Sequence, residues 1–264
     1  MSSVSHLLVM DFEATCWDRA KPPPQADGGK APRQEIIEFP CVVVDTKSGT
    51  VVDEFHQYVK PTEEATLSEF CTELTGIEQP QVEAAQPLQK VLEDFVQWVS
   101  ANPKLKADDF AIVTCGDWDL YDQIRTETTR KGFVHLVPSW MQRWINIKPI
   151  WMKATGNEKA TGMAGMLRDL DIQLLGKHHS GIDDARNIAR IALKLLSRGA
   201  VFQCTSTWPA GRQARKSRAE EKKQKQTKHK AKTDSFEVGG ETGQAVPSAA
   251  CEEACVSIVS SGSA

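Results

Sequence analysis

The chain of 264 residues is 40% hydrophobic and 25% charged, with a formal net charge of −3. Length and composition fit one large or two small globular domains. They offer no membrane span, since no apolar run approaches the roughly 20 residues a spanning helix needs, and residues 1–10 lack the basic and apolar regions of a signal peptide. Seven cysteines, at 16, 41, 71, 115, 204, 251 and 255, form no C-x-x-C pair. The expectation is reduced thiols in a cytosolic or nuclear protein, not a disulfide framework or zinc site. Cys251 and Cys255 have the spacing of helical metal ligands, but no His lies near them in that Ser/Ala/Gly-rich stretch.

A strand is predicted over about 5–12, where Leu7-Leu8-Val9-Met10 reads as buried on both faces and runs into Asp11 and Glu13. Strand side chains alternate with period two, so these carboxylates share one side. Like charges so close are costly unless a cation sits between them. Oxygen ligands suit a hard cation, Mg²⁺ or Mn²⁺. Strand ends also carry Asp or Glu as plain caps, so the pair needs partners before it implies a metal.

Residues 17–34, with Pro22-Pro23-Pro24 and Gly28-Gly29, read as a flexible inserted loop. Strands follow at 35–45 and 51–59, and the short turn between them implies an antiparallel meander. The period then changes. Leu67, Phe70 and Leu74 mark a short helix closed by Gly76, and Leu88, Val91, Leu92, Phe95, Val96 and Val99 mark a core-packing helix over about 86–101. Residues 110–115 form a fourth, buried strand, followed by Gly116-Asp117-Trp118-Asp119 and a helix to about Lys131. Trp144–Ile150 is predicted as a fifth strand, Thr161–Leu170 as a helix, 176–181 as a loop and Asp183–Leu196 as the last helix. The expected fold is α/β, a mixed five-stranded sheet with helices on both faces.

The apolar pattern stops near residue 205, which sets the expected division: a folded domain over 1–205 and a disordered tail over 206–264. Within the tail, 212–232 carries ten Lys/Arg against two Glu, and 233–264 carries five acids and no Lys or Arg. Residues 1–211 are therefore net acidic.

Three more residues stand where Asp11 and Glu13 need company. Asp119 follows a buried strand, where ligands gather in open α/β sheets; Asp117 competes with it, and either can be a helix cap. Asp184 opens the last helix, where Asp is also favoured by capping and the dipole. His179 lies five residues before Asp184, and the pair His178–Asp183 has the same spacing. In order along the chain these segments resemble the DEDDh exonucleases, the RNase T and proofreading-exonuclease group on an RNase H-like fold. The resemblance is carried by Asp11-Phe12-Glu13-Ala14-Thr15-Cys16, Glu35-Ile36-Ile37-Glu38-Phe39-Pro40, Phe70-Cys71 with Leu74-Thr75-Gly76-Ile77, Trp118-Asp119, Trp144-Ile145-Asn146-Ile147, and His179 with Asp184 and Asn187-Ile188-Ala189-Arg190. It covers about 5–200, and within the group the match is close to the Eri-type 3′-to-5′ exoribonucleases, which trim histone mRNA ends, small interfering RNA and ribosomal RNA.

The resemblance implies metal-dependent removal of nucleoside 5′-monophosphates from RNA 3′ ends. Asp11, Glu13, Asp119 and Asp184 would hold two Mg²⁺ ions, with Mn²⁺ able to substitute. Glu13 and His179 would be the catalytic residues, His179 taking a proton from the attacking water. The motif selects Asp119 over Asp117 and Asp184 over Asp183. Ala14, Thr15, Phe70, Trp118 and Leu120 match the places that bind the terminal nucleotide, where aromatic faces stack bases. The implied partner is RNA with a free 3′ end, together with other RNA-processing proteins. Alternatives are a DNA exonuclease of the same group and a non-catalytic RNA-binding scaffold; retention of all four acids and the His argues against the scaffold. The basic arm is a candidate for raising the local RNA concentration, against a plain solvated tail or nuclear signal. Truncation after about residue 205 is expected to weaken RNA binding mainly at low salt; a Kd that is unchanged across salt would reduce the arm to a solvated tail.

Overall fold

Leu7 to Met10 are apolar at every position because both sides of their strand are covered. Leu8 and Met10 enter one core with Phe39, Phe95, Ile112 and Trp144, while Leu7 and Val9 enter a second with Val42, Ile145, Ile188 and Leu195. The computed structural model describes residues 4–18, 33–105 and 109–209. Most of the expected loop at 17–34, the basic arm and Cys251 and Cys255 lie outside the described residues.

Among those residues, eight strands form one sheet: β1 His6–Val9, β2 Glu13–Ala14, β3 Ile36–Asp45, β4 Thr50–Lys60, β5 Gln86–Pro87, β6 Phe110–Thr114, β7 Arg143–Asn146 and β8 Ser206–Thr207. The order is β5-β4-β3-β1-β6-β7-β8, with β2 also on β3. The meander β1-β3-β4 is antiparallel, and β6 and β7 then add parallel to β1 and to each other. This is the mixed α/β sheet of an RNase H-like domain. The five expected strands correspond to β1, β3, β4, β6 and β7; the other three are two residues each, too short for periodicity to reveal.

Seven α-helices are described: α1 Glu69–Thr75, α2 Gln79–Ala84, α3 Leu88–Ala101, α4 Ile124–Arg130, α5 Ile147–Thr155, α6 Met163–Asp169 and α7 Gly181–Ser197. Apolar residues of α3 and α4 pack on one face of the sheet, and those of α5, α6 and α7 on the other. Gly76 ends α1 in the left-handed region at φ 78°, the usual role of glycine after a helix.

One expected element changes type. The fifth strand stops at Asn146 instead of running to Ile150, and α5 begins at Ile147. The Asn146 side chain accepts from the Lys148 N–H at 3.1 Å, an N-cap, and Pro149 falls in the first helical turn, where its missing donor costs nothing. The apolar run hid this because both a buried strand and a buried helix present Ile at these positions. The sheet also continues past the expected boundary at 205. β8 pairs with β7, and the Trp208 indole N–H donates to the Leu120 carbonyl at 2.6 Å. A truncation meant to remove only the tail should therefore leave Trp208 in place.

Charged residues just before β3 and at the end of α4 tie the sheet to that helix and to the segment after β4. Glu35 is buried and accepts backbone N–H groups from Thr62, Glu63 and Glu64. Lys131 bridges Glu35 and Glu127, the latter at 2.7 Å. Burial alone pushes Glu35 up, but Lys131 and the backbone donors win and hold it below the usual carboxylate range. Lys131→Met would leave two buried carboxylates without their cation. The expected loss is about 3–5 kcal/mol in urea unfolding at neutral pH, shrinking as the pH falls and the carboxylates protonate. A loss within experimental error would show that Lys131 does not compensate them.

Candidate active site

Past Val9, β1 has no further strand pairing of its own, and the chain turns through Asp11 into β2. Here the second helical layer arrives. Ser180 precedes α7, and Asp184 lies in its first turn. Carboxylate oxygens of Asp11, Glu13 and Asp184 all lie within 4.8 Å of one another. Asp184 is buried, whereas Asp11 and Glu13 keep partial access to solvent.

Asp119 joins from the far side of the sheet. It sits in a π-helical turn, Trp118–Gln123, whose Ile124 N–H bonds back to the Asp119 carbonyl. Such widened turns are rare and occur mostly at functional sites. The Asp119 Oδ1 accepts the Phe12 N–H at 2.8 Å, which fixes it beside the strand end between Asp11 and Glu13. It stands outside the three-residue group within 4.8 Å, so the structure gathers three of the four acids tightly and sets the fourth next to them.

The competing positions have other work. Asp117 Oδ1 accepts from the Trp144 indole N–H at 2.9 Å and the Ser206 hydroxyl at 2.7 Å. Asp183 accepts the Lys177 N–H at 2.9 Å and pairs with Arg186 at 3.2 Å. Both therefore hold the frame, while Asp119 and Asp184 face the cluster.

His179 is held in the left-handed region at φ 68°, and its backbone N–H donates to Asp184 Oδ2 at 3.0 Å. Its ring stacks on His178 with centroids 4.0 Å apart. Ligand atoms of both rings and Asp184 fall within 4.8 Å of one another, and His178 Nε2 lies 3.9 Å from Asp184 Oδ2. Burial, then the neighbouring His178 and Lys177, lower His179 from the ordinary histidine value, a shift towards the neutral ring that can take a proton.

Without a cation the acids repel one another. Burial first, then Glu38, Asp184 and Asp119, push Glu13 up to about 9. Burial and the same neighbours raise Asp11 well above the carboxylate range. Burial raises Asp119 and Asp184 to about 6 each, against the opposing Phe12 and His179 N–H bonds. Lys148 is the cation that lowers Asp119. Asp184 Oδ1 is buried with no hydrogen-bond partner, an orphan it shares among the described residues only with Trp151 Nε1. Clustered oxygen donors, mutual repulsion and an unpartnered buried carboxylate oxygen all fit a divalent cation.

The expected nucleotide-binding residues divide. Phe70 and Trp118 are exposed by 38% and 37%, large aromatic surface of the kind that stacks bases. Phe70 lines a pocket of about 370 Å³ with Trp17, Ser68 and Glu73. The Leu120 side chain is fully buried in the core under the π turn and offers no surface. Ala14 and Thr15 are buried too, and Thr15 Oγ1 is occupied by the Glu35 N–H at 3.0 Å. Two residues escaped the sequence reading, Glu38 and Lys148. The first carried a signal, because a carboxylate within a strand buried on both faces needs a partner. The second carried none, since its nearness to Asp119 depends on the start of α5.

A mixed sheet with acids converging at the end of its central strand defines an RNase H-like nuclease fold. The chain belongs to the RNase T exonuclease family, whose pattern matches residues 8–192. It is 37% identical over 217 residues to ERI1 exoribonuclease 2 of Xenopus laevis, covering 76% of this chain and 30% of that protein. It is 35% identical over 217 residues to the 3′-5′ exonuclease Snipper of Drosophila melanogaster, covering 78% of this chain and 74% of Snipper. Among solved structures, the nuclease domain of 3′hExo, a DEDDh family member bound to rAMP, superposes with a TM-score of 0.68 at 31% identity, covering 78% of this chain and 98% of that one. A 3′-exonuclease in 3′-end specific recognition of histone mRNA stem-loop matches with a TM-score of 0.69 at 30% identity, over 80% of this chain and 90% of that one. The chain spans under a third of the length of ERI1 exoribonuclease 2. The DEDDh family is metal-dependent.

The raised carboxylates make the metal-free fold bind protons more tightly than the unfolded chain. The contribution of these four groups to stability is then fully present at low pH and is lost as pH rises through about 6 for Asp119 and Asp184 and towards about 9 for Glu13. In EDTA the Tm is expected to decline across that window, and Glu13→Gln to flatten its upper part. A Tm that climbs with pH there would contradict the repulsion.

Proposed function

We propose that this chain is a 3′-to-5′ exoribonuclease that uses Mg²⁺, with Mn²⁺ able to substitute. The observation that carries the reading is the convergence of Asp11, Glu13 and Asp184 within 4.8 Å, beside a buried Asp119 and a half-buried His179. On this reading Asp11, Glu13, Asp119 and Asp184 would hold two such cations, which would supply charge stabilisation for the attacking and leaving oxygens. Asp119 and Asp184 enter already oriented, each by a backbone N–H on one carboxylate oxygen.

His179 takes a proton from the attacking water, as its lowered affinity for protons keeps it neutral at the start of the reaction. The water oxygen bonds to phosphorus and the P–O3′ bond breaks. The terminal residue leaves as a nucleoside 5′-monophosphate, and the shortened strand takes a proton on its new 3′-hydroxyl. Phe70 and Trp118 stack the terminal bases, a contact worth about 1–3 kcal/mol per base that is indifferent to sequence. Leu120 supports this platform from below, and Ala14 and Thr15 contribute through the backbone at the end of β2. His178, stacked on His179, restrains its ring.

RNA with a free 3′ end is the partner that the ERI1-type relatives favour, in a cytosolic or nuclear setting. DNA is retained as a second reading because Snipper, the relative covered over most of its length, is named for exonuclease activity without restriction to RNA. The test uses 5′-labelled single-stranded RNA, matched DNA and a stem-loop RNA with Mg²⁺, Mn²⁺ or EDTA. Stepwise shortening of RNA from its 3′ end is expected, abolished by EDTA. Asp11→Ala and Glu13→Ala should each lower kcat by 10³-fold or more, on the order seen when groups acting as one catalytic unit are removed. Decay that survives EDTA or these substitutions overturns the mechanism, and faster loss of DNA moves the substrate to the second reading.

A further inference from the structure

A fifth carboxylate lies against the cluster, and the mechanism above does not use it. Glu38 sits in β3 directly opposite Glu13 in the strand register and is almost completely buried. Its charge contributes to raising Glu13, Asp11 and Asp184. Burying one more acid beside four others opposes folding and cation-free ionisation alike, so the position needs a compensating set of contacts.

Those contacts are on α7. Glu38 Oε2 accepts the Gly181 N–H at 2.8 Å and Oε1 accepts the Ile182 N–H at 3.0 Å. His56 Nε2 also lies 2.8 Å from Oε1, so both oxygens are already engaged by protein donors. Ser180 stands at the N-cap of α7, yet its side chain makes no capping hydrogen bond. The first N–H groups of a helix have no partner within the helix; here a carboxylate from a different strand takes two of them, at the end where the helix dipole favours negative charge. The seam is tight. A Cβ on Gly181 would lie 2.7 Å from the Asp11 carbonyl oxygen and 3.1 Å from Glu38 Oε2, so only glycine lets α7 approach this closely. Asp184 follows within the same first turn.

We infer that Glu38 is a positioning residue that clamps the first turn of α7 and so sets Asp184 against Asp11 and Glu13. It joins the two elements that carry the cluster, since β2 is paired to β3 on one side and α7 is bonded to Glu38 on the other. The inference rests on the metal-dependent reading given above.

Two variants separate position from charge. Glu38→Asp keeps the negative charge but retracts it by one methylene; Glu38→Gln keeps the length but replaces one acceptor with a donor. In both, amide hydrogen exchange at 181–184 in the metal-free protein should accelerate about tenfold or more, with the C-terminal half of α7 unaffected. Mn²⁺ binding measured by calorimetry should weaken by about tenfold, the scale of lost outer-shell support, and kcat should fall with little change in KM for RNA. Glu38→Asp with wild-type exchange and wild-type Mn²⁺ affinity overturns the inference, because charge alone would then suffice. If the Glu38 variants fail to fold, Gly181→Ala tests the same seam from the helix side, and wild-type Mn²⁺ affinity in that variant overturns it equally. Wild-type protein that binds no Mn²⁺ and leaves RNA intact would fail the metal-dependent reading, whereas a wild type that binds Mn²⁺ alongside unaffected variants fails only the role of Glu38.

Discussion

Repulsion among carboxylates is the constraint around which this domain is arranged. Asp11, Glu13 and Asp184 bring their oxygens within 4.8 Å of one another, and Asp119 and Glu38 stand close enough to raise them further. An isolated peptide would relieve such crowding by moving apart. Here each acid is delivered by an element that cannot move freely. Asp11 and Glu13 continue a strand buried on both faces, Asp119 is fastened to the Phe12 N–H, and Asp184 is fastened to the His179 N–H. The two cores on either side of the sheet provide the rigidity, since a shift of β1 would disturb both at once. The remaining strain is electrostatic, and it is of the kind a divalent cation would relieve. Site and fold are coupled in this way: the apolar packing opposes the repulsion among the acids.

The strand–helix alternation was legible because β1, β6 and the second half of β3 are apolar runs and α3 and α7 have apolar residues at three- and four-residue spacing. The failures have specific causes. At Trp144–Ile150 the apolar run suits strand and helix alike, and the arbitration comes from one side-chain hydrogen bond at Asn146. Two-residue strands such as β5 and β8 carry no period at all. The π turn at Trp118–Gln123 is invisible for another reason: its extra residue per turn follows from the need to bring Asp119 to Phe12, and nothing local in Trp-Asp-Leu-Tyr encodes it.

Within the site, spacing alone left two ambiguities, Asp117 against Asp119 and Asp183 against Asp184. Each pair divides in the structure into one residue that faces the cluster and one that braces a neighbour. Asp117 secures β7 through the Trp144 indole, and Asp183 secures the loop before His179 through Lys177. Both doublets therefore carry a second acid with a structural use, which is why a count of acidic residues could not distinguish them. The nucleotide-binding candidates divided on burial, a property the sequence predicts poorly for a single Leu or Phe. Leu120 fills the core below the turn while Phe70 and Trp118 remain at the surface.

An acidic centre that acts on a polyanion needs positive charge that does not neutralise the centre itself. Near the cluster the structure offers Lys148, which lowers Asp119, and Lys177, which helps hold His179 neutral. Lys177 Nζ bonds to the Glu73 carbonyl at 3.2 Å, and Glu73 belongs to the helix that also carries Phe70. One flexible cation thus spans from the histidine loop to the aromatic pocket. It stands beside the site without entering the carboxylate group, so the acids keep the unmet negative charge that selects a cation. Lys177 thereby joins two surfaces that the proposed function uses, the exposed Phe70 on α1 and the histidine loop ahead of α7.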